Sequence, residues 1–281
     1  RINENQDSIN KNYKISLIQT NLSQIEKNNN LNLKERIDYI NNIILSNNSD
    51  LIIFSENEFP YTINDNKTLE LTSSLLNEKQ SIIIGATSKN NYRFYNSMYL
   101  IEKNNIQRFD KIILVPFGEF LPFRKYLNFF NPIVGEHDFA IGKSNRIMSM
   151  SNGLNFIPII CYEIVFFNNL LDSFNQNSQL MINITNDSWF GNFSGPYQHF
   201  YLSRLRAVEF NKPLIRVSNN GISALLDNKG KIINYSKLNK KEIINTEISL
   251  PYESENLKDY HFYILFFLFT FSFIFIFRNN E

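Results

Sequence analysis

Apolar and polar residues alternate along the chain in a way that predicts short strands separated by helices. KISLIQT at 14–20 shows the two-residue alternation of a strand, and LNLKERIDYINNIILSN then places leucine and isoleucine at helical spacing. The continuous apolar run LIIF at 51–54 is typical of a buried strand. A strand, a helix and a buried strand in this order favour an α/β fold.

The same alternation continues through the body of the chain. A helical stretch near 66–78 precedes the apolar strand SIIIGAT, which we expect to close on Gly85, and SMYLIEKNNIQRFDKIIL predicts two strands around a turn at Asn104–Asn105. The later elements are the strands NFIPIIC at 155–161, LMINIT, LIRVS and ISALLD, and helices at about 164–175 and 198–211. Buried strands joined by both helices and hairpins predict a mixed sheet within one domain, over about 13–250.

The C-terminal region has a different pattern. Residues 262–277 form a stretch of 16 residues without a charge that holds 8 of the 26 Phe. As a helix this stretch would be about 24 Å long, against a hydrocarbon core of ~30 Å. It lacks the polar face that a helix of a globular domain normally keeps. We therefore predict a transmembrane helix over 262–277; the alternative is a buried core helix or a terminal strand.

The flanks of this stretch suggest an orientation. Arg278 follows it directly, whereas the preceding linker, 251–261, carries three acids and one lysine. Because positive residues favour the cytoplasmic side, we expect a cytoplasmic tail at 278–281 and the bulk of the chain on the opposite side of the membrane.

The N-terminal end bears on the same question. The chain starts with Arg1 rather than Met, and residues 1–12 are polar, without the apolar run of a signal peptide. A domain that lies outside the cytoplasm needs an export element. We therefore expect residues 1–12 to follow an N-terminal membrane bundle encoded upstream.

Composition and charge exclude several classes of function. With 28 Lys and Arg against 27 Asp and Glu, the net charge is +1 and no basic run attracts nucleic acid. The single cysteine forms no intrachain disulfide, and the three His, at 137, 199 and 261, are too scattered for a zinc site. GEHDFAIGKS ends like a phosphate-binding loop, but His137 stands where the first glycine is required. We therefore predict no metal, no cofactor and no nucleic-acid partner.

Three polar residues lie at or near the ends of predicted strands, where active sites of α/β folds gather. Glu56 follows LIIFS, Lys111 lies in the second strand of the hairpin, and Cys161 follows FIPII. A free thiol has a pKa of ~8.5 and becomes a nucleophile when a base or a cation favours the thiolate. A carboxylate base and an ammonium that stabilises an oxyanion would suffice for acyl transfer without metal or histidine. The alternatives are a small buried cysteine and two solvated charges.

Five ordered sequence blocks resemble the motifs of the apolipoprotein N-acyltransferase family, a membrane branch of the nitrilase (carbon-nitrogen hydrolase) superfamily. The blocks are LIIFSENEFP, FDKIILVPFGEFLP, FIPIICYEIVF, NITNDSWFG and GPYQHFYLSRLRAVEFNKPLIRVSNNGISALLD. The similarity as a whole extends from about Lys14 to Leu226. This resemblance implies a nitrilase-like α-β-β-α sandwich followed by the C-terminal transmembrane helix. It also implies a general base at Glu56, a cationic stabiliser at Lys111, a nucleophile at Cys161, and supporting residues at Glu119, Tyr162 and Glu163.

Two acids compete for the role of base. Glu58 stands where the family usually has a small residue, and Phe54–Ser55 stand where it commonly has Trp–Pro. We favour Glu56 because it lies closer to the strand, with Glu58 as the alternative. His199 is expected to be a hydrogen-bonded helix residue rather than a base, since nothing near it in the sequence could form a relay.

The resemblance implies a ping-pong reaction at the bacterial inner membrane, with the catalytic domain facing the periplasm. An acyl chain passes from a phospholipid to Cys161, and then to the amino group of a diacylglyceryl-cysteine at the N-terminus of an apolipoprotein. VPFGEFLPFRKYLNFFNPIV, with Arg124 and Lys125, is a candidate lid or interfacial arm; alternatively its aromatic residues pack on the sandwich. Two other functions are weighed against the acyltransferase: a nitrilase-like amidase acting on a small amide, and a catalytically silent, membrane-tethered interaction module.

Overall fold

A computed structural model of the chain describes residues 11–23, 26–27, 32–127, 138–143, 145–166, 170, 178–191, 193–250 and 267. The strands are β1 (Lys11–Gln19), β2 (Leu51–Phe54), β3 (Ser81–Asn90), β4 (Arg93–Glu102), β5 (Ile106–Asp110), β6 (Met148–Ser149), β7 (Asn155–Ile160), β8 (Leu180–Thr185), β9 (Leu214–Ser218), β10 (Ala224–Leu226), β11 (Ile232–Tyr235) and β12 (Glu242–Leu250). The α-helices are α1 (Leu33–Ser46), α2 (Lys67–Ser74), α3 (Arg124–Leu127) and α4 (Ser194–Glu209).

The strands form two six-stranded mixed sheets. The first has the order β12-β1-β2-β3-β4-β5, and the second has the order β11-β10-β9-β8-β7-β6. In each sheet three adjacent strands are parallel, β1-β2-β3 in the first and β7-β8-β9 in the second, and the outer strands pair antiparallel. The mixed sheet predicted from the sequence is confirmed, with a second sheet of the same kind.

Three apolar clusters arrange these elements in four layers. The central cluster lies between the sheets and includes Ile53 of the first sheet and Ile182 of the second. A second cluster packs Ile40 of α1 and Leu69 of α2 on the outer face of the first sheet. A third packs Phe200 of α4 on the second sheet. Burial of these apolar faces stabilises an α-β-β-α sandwich, as the resemblance implied.

The strand β3 is longer than the sequence suggested. It does not close on Gly85 but continues to Asn90, and it pairs with β4 along its whole length. Asn91, with φ of 55°, allows the tight turn between the two strands. Gly85 has another role, because a Cβ at this position would lie 2.6 Å from the Cα of Glu56. The glycine lets β3 pass directly beside the backbone of a candidate catalytic residue.

Several predicted elements fall partly or wholly outside the described residues. The helix predicted at 164–175 begins as a 3₁₀ helix, Cys161–Val165, and 167–169 and 171–177 are not described. The apolar stretch at 262–277 lies outside the described residues except for Phe267, and so do residues 1–10, the linker 251–261 and the tail 278–281. In the part of the chain that the structure describes, no helix is both long enough and apolar enough to cross a membrane.

Candidate active site

Three strand ends bring Glu56, Lys111 and Cys161 into one buried site. Glu56 lies just beyond β2 and Cys161 directly after β7; Lys111 directly follows β5 rather than lying within it, as the sequence had suggested. The three residues are 7%, 1% and 9% exposed. Lys111 Nζ lies 3.7 Å from Glu56 Oε1, and both charges act on the Cys161 thiol. Folding therefore unites residues that are roughly 50 positions apart in the chain.

Cys161 occupies a turn in an unusual backbone conformation. Its φ is 52°, in the left-handed region that residues with a side chain rarely adopt. Cys161 follows β7 directly and is the first residue of the 3₁₀ helix Cys161–Val165. Its sulfur lies within hydrogen-bond distance of Thr185 Oγ1, at 3.3 Å. A strained backbone of this kind persists only where surrounding contacts fix it, and such positions cluster at functional sites.

Glu56 is held on both carboxylate oxygens. Asn96 Nδ2 donates to Oε1 at 2.7 Å, and the backbone N–H of Asn186 donates to Oε2 at 2.8 Å. Asn96 Nδ2 also donates to Glu119 Oε1 at 2.7 Å, so one amide group orients two carboxylates. Burial raises the pKa of Glu56; Lys111 opposes this shift, and the negative charge of Glu119 adds to it.

Lys111 is shared between two acids. Its Nζ lies 2.8 Å from Glu119 Oε2, closer than to Glu56. Burial alone would lower the pKa of Lys111, but the negative charges of Glu56 and Glu119 raise it above its usual value. Glu119 is itself fixed by the backbone N–H of Val115, at 2.9 Å. The lysine is therefore a firmly held cation beside the sulfur.

The surroundings of Cys161 favour the neutral form of its thiol. Burial and the negative charge of Glu56 raise its pKa to about 12, although the Lys111 ammonium acts in the opposite direction. A thiol with a raised pKa, next to a carboxylate with a raised pKa, forms a pair that can exchange one proton. The arrangement can therefore generate a thiolate at the moment when an electrophile occupies the site.

Glu163 forms part of the scaffold of the site. It is fully buried, and Arg146 binds both of its carboxylate oxygens, at 2.8 and 2.9 Å. Glu163 also accepts hydrogen bonds from the backbone N–H groups of Ile112 and Ile160. Burial opposes the charge of Glu163, but Arg146 lowers its pKa. The carboxylate therefore ties the backbone after Lys111 to the backbone before Cys161.

Tyr162 and the aromatic residues around it form one wall near the cysteine. The Tyr162 ring lies 5.9 Å from the His199 ring and 6.4 Å from the Phe190 ring. These centroid distances are typical of packed aromatic pairs. Tyr162 therefore contributes to this wall by packing, beside the nucleophile candidate.

Glu58, the alternative base, belongs to a separate buried pair. Its Oε2 lies 3.2 Å from Lys27 Nζ and accepts hydrogen bonds from Ser55 Oγ and Thr20 Oγ1. Lys27 Nζ also donates to the backbone carbonyl of Glu56, at 2.9 Å. The Glu58–Lys27 pair therefore supports the segment that carries Glu56, whereas Glu56 itself faces Lys111 and Cys161.

A second charged cluster near Cys161 was missed by the sequence analysis. Asp187 Oδ2 lies 2.8 Å from Arg216 Nη2, and Asp187 Oδ1 lies 2.9 Å from His199 Nδ1. His199 is a hydrogen-bonded helix residue, as predicted, and Asp187 is a partner that the sequence analysis did not identify. Burial would raise the pKa of Asp187, but Arg216 and His199 hold it well below its usual range. Asp187 comes shortly after β8, so the rule about strand ends would have found it.

Within the described ranges, no group of three or more His, Cys, Asp or Glu side chains is arranged to hold a metal ion.

Of the predicted lid, residues 115–127 are described and 128–134 are not. Its aromatic residues Phe123 and Tyr126 are 78% and 81% exposed, so they do not pack on the sandwich.

The sequence of this domain is similar to those of known proteins. The carbon-nitrogen hydrolase family model matches residues 14–255. The chain is 43% identical over 204 residues to an apolipoprotein N-acyltransferase of Rickettsia typhi, covering 69% of this chain and 40% of the relative. It is 36% identical over 213 residues to one from Allorhizobium ampelinum, covering 72% of this chain and 40% of the relative. The chain thus spans 40% of the length of these two curated relatives.

Solved structures share the fold. A carbon-nitrogen hydrolase superfamily protein from Xanthomonas campestris superposes with a TM-score of 0.64 at 17% identity, covering 85% of this chain and 91% of that protein. Nit3 of Saccharomyces cerevisiae, a member of the nitrilase superfamily, gives 0.63 at 20% identity, covering 85% and 90%. Because the family model matches most of the chain and the four-layer sandwich agrees with it, this chain belongs to the carbon-nitrogen hydrolase family.

Proposed function

We propose that this chain carries the catalytic domain of an apolipoprotein N-acyltransferase. The enzyme moves an acyl chain from a membrane phospholipid, through a thioester on Cys161, to the N-terminal amino group of a diacylglyceryl-cysteine. The observation that carries the proposal is the convergence of Glu56, Lys111 and Cys161 in one buried site. The similarity to curated enzymes named apolipoprotein N-acyltransferase supports the proposed substrate class.

In the first half-reaction the thiol becomes the nucleophile. Glu56 takes the proton from Cys161 Sγ, and the sulfur attacks the carbonyl carbon of the phospholipid ester. Lys111 stabilises the oxyanion of the tetrahedral intermediate. The C–O bond of the ester then breaks, Glu56 returns the proton to the leaving oxygen, and a lysophospholipid departs. Glu119 keeps Lys111 charged and in position for this step.

In the second half-reaction the amino group of the acceptor attacks the thioester. Lys111 again stabilises the oxyanion, and Glu56 takes a proton from the attacking nitrogen. The C–S bond breaks, an amide forms, and the proton returns to the departing sulfur. No water is consumed in this cycle, and the free enzyme is regenerated. Tyr162 and Glu163 support the nucleophile by packing and by fixing its backbone.

Both substrates are lipids, so the site has to work at a membrane surface. We place the domain on the periplasmic face of the bacterial inner membrane, anchored by the predicted span at 262–277. The exposed aromatic residues Phe123 and Tyr126 flank Arg124 and Lys125. Aromatic and cationic side chains together suit the boundary between headgroups and acyl chains. This segment is therefore the proposed point of contact with the lipid.

The proposal is tested by following the acyl chain. The full-length protein is incubated with vesicles of a phospholipid labelled in its acyl chains and with a synthetic peptide that begins with diacylglyceryl-cysteine. We expect label on the peptide with a free amino group and none on the same peptide with an acetylated amino group. Cys161→Ala should transfer no label. Release of labelled fatty acid at the same rate with and without the peptide would identify a hydrolase instead.

A further inference from the structure

The Cys161 sulfur has a hydrogen-bond donor that the proposed chemistry does not use. Thr185 is the last residue of β8 and is completely buried. Its Oγ1 lies 3.3 Å from Cys161 Sγ and 3.1 Å from Asp187 Oδ1, and it is the donor in both contacts. A hydroxyl group carries only one hydrogen. Thr185 can therefore serve the sulfur or the carboxylate, but not both at once.

Asp187 can lose the hydrogen bond from Thr185 at a small cost in free energy. It keeps donors from Arg216 Nη2, from His199 Nδ1 and from Ser218 Oγ, the last at 3.2 Å. The Arg216 charge maintains the carboxylate as an ion throughout. Asp187 is thus a constant acceptor that holds the Thr185 hydroxyl in place while the sulfur is neutral, and it remains well bonded after the hydroxyl turns away.

The Cys161 sulfur, unlike the Asp187 carboxylate, changes in strength as a hydrogen-bond acceptor during the reaction. A neutral thiol is a weak acceptor, whereas a thiolate is charged and accepts a stronger, charge-assisted hydrogen bond. The charged groups that act on the sulfur are Glu56 and Asp187, which oppose the thiolate, and Lys111, which favours it. A neutral donor adds to the effect of Lys111 without adding a charge to the site. The hydroxyl of Thr185 is placed to be that donor.

We propose that Thr185 is a positioning residue whose hydroxyl hydrogen turns from Asp187 to the Cys161 sulfur when the thiolate forms. The thiol proton passes to Glu56; the Thr185 proton stays on its own oxygen, and only its acceptor changes. The inference rests on the proposed function, since it takes Cys161 as the nucleophile. Thr185, the last residue of LMINIT, thereby helps to set the reactivity of the Cys161 thiol.

The test measures thiol reactivity without any lipid. Iodoacetamide alkylates the thiolate of Cys161, with formation of a C–S bond and loss of iodide, and its rate is followed against pH for each variant. We expect Thr185→Val to react roughly 10-fold more slowly at neutral pH, with its profile displaced to higher pH by about one unit. Thr185→Ser, which restores the hydroxyl, should stay within roughly 3-fold of the wild type. Thr72→Val makes the same change at another buried position, on α2, and should match the wild type.

The outcomes separate this inference from the proposed function. A Thr185→Val protein that alkylates with the rate and pH profile of the wild type would overturn the inference. If that variant does not fold, Thr185→Ala removes the same hydroxyl and carries the same expectation. Thr185-dependent alkylation in a protein that never transfers an acyl chain would support the inference while the acyltransferase proposal fails. Acyl transfer with Thr185-independent alkylation would reject the inference alone.

Discussion

Two buried charged clusters act on Cys161, and they are neutralised to different degrees. In the lysine cluster, formed by Glu56, Lys111 and Glu119, one ammonium is shared by two carboxylates. In the aspartate cluster, formed by Asp187, Arg216 and His199, one carboxylate has its own guanidinium and a histidine donor. The pKa of Glu56 is accordingly raised and that of Asp187 lowered. Burial is common to both, so the supply of positive charge decides the sign of the shift.

This difference explains which acid can take part in chemistry. A carboxylate that shares its cation is poised to gain and lose a proton, whereas one saturated with donors stays ionised. Substitutions in the lysine cluster should therefore act mainly on the rate of acyl transfer. Substitutions in the aspartate cluster should act mainly on the stability of the fold.

Glu56→Gln should lower the rate of Cys161 acylation by about 10⁴-fold, because glutamine keeps the shape of the side chain but cannot accept the thiol proton. The initial rate of formation of the acylated protein, measured by mass spectrometry, checks this. The matched control is Glu58→Gln, which removes an acid from the neighbouring Lys27 pair and should keep most of the rate. The reverse result would transfer the role of base to Glu58.

Asp187→Asn should destabilise the fold by about 3–5 kcal/mol, because it leaves Arg216 buried without a counterion. Urea unfolding of the wild type and of the variant measures this difference. The folded-state pKa of Asp187 lies below the unfolded value of 3.8. Its stabilising contribution is therefore complete above that pH and is lost as the pH falls through the folded-state pKa. A difference that stays constant to the lowest accessible pH would contradict the assignment.

Lys111→Met should lower the acylation rate by about 10²–10³-fold, since it keeps the buried stem but removes the charge that stabilises the oxyanion. It should also slow iodoacetamide alkylation, because the Lys111 charge opposes the rise in the pKa of Cys161. Stopped-time assays of both reactions provide the measurement, with circular dichroism as the control for folding. An acylation rate within 10-fold of the wild type would show that the oxyanion is stabilised elsewhere.

Ser218→Ala should have the smallest effect, about 2 kcal/mol of unfolding free energy. It removes one of several donors to Asp187, at 3.2 Å, and leaves the Arg216 and His199 contacts in place. A hydroxyl that donates to the ionised Asp187 contributes this much, and its loss also leaves the Gly221 N–H, which donates to Ser218 Oγ at 2.8 Å, without that acceptor. Thermal unfolding measures it. A loss as large as that of Asp187→Asn would mean that the aspartate cluster is less well supplied with donors than the structure indicates.

The sequence predicted those features of the fold and of the site that depend on local residue patterns. Apolar runs gave the order of strands and helices, and polar residues at strand ends indicated Glu56, Lys111 and Cys161. The same rule applied to β8 would have indicated Asp187. Its partners Arg216 and His199 lie on β9 and α4, and no periodicity distinguishes them from ordinary charged or polar residues.

Other features depend on contacts between distant parts of the chain. The pairing of β1 with β12 joins the two ends of the described domain, and neither strand indicates its partner. Asn96 holds Glu56 and Glu119 together from the middle of β4, where the sequence suggests only a strand residue. The extension of β3 beyond Gly85, by contrast, did have a local signal, because Asn90–Asn91 is the same kind of turn sequence as Asn104–Asn105, and Asn91 has a positive φ.

The central claim is that Cys161 carries the acyl chain. The most direct test is peptide mass spectrometry of the full-length protein after incubation with a phospholipid of defined acyl length and no acceptor. The account predicts one acyl chain on the peptide that contains Cys161, released by hydroxylamine as a thioester is, and no adduct in Cys161→Ala. An adduct that persists in Cys161→Ala, or a wild-type protein that forms none, would contradict it.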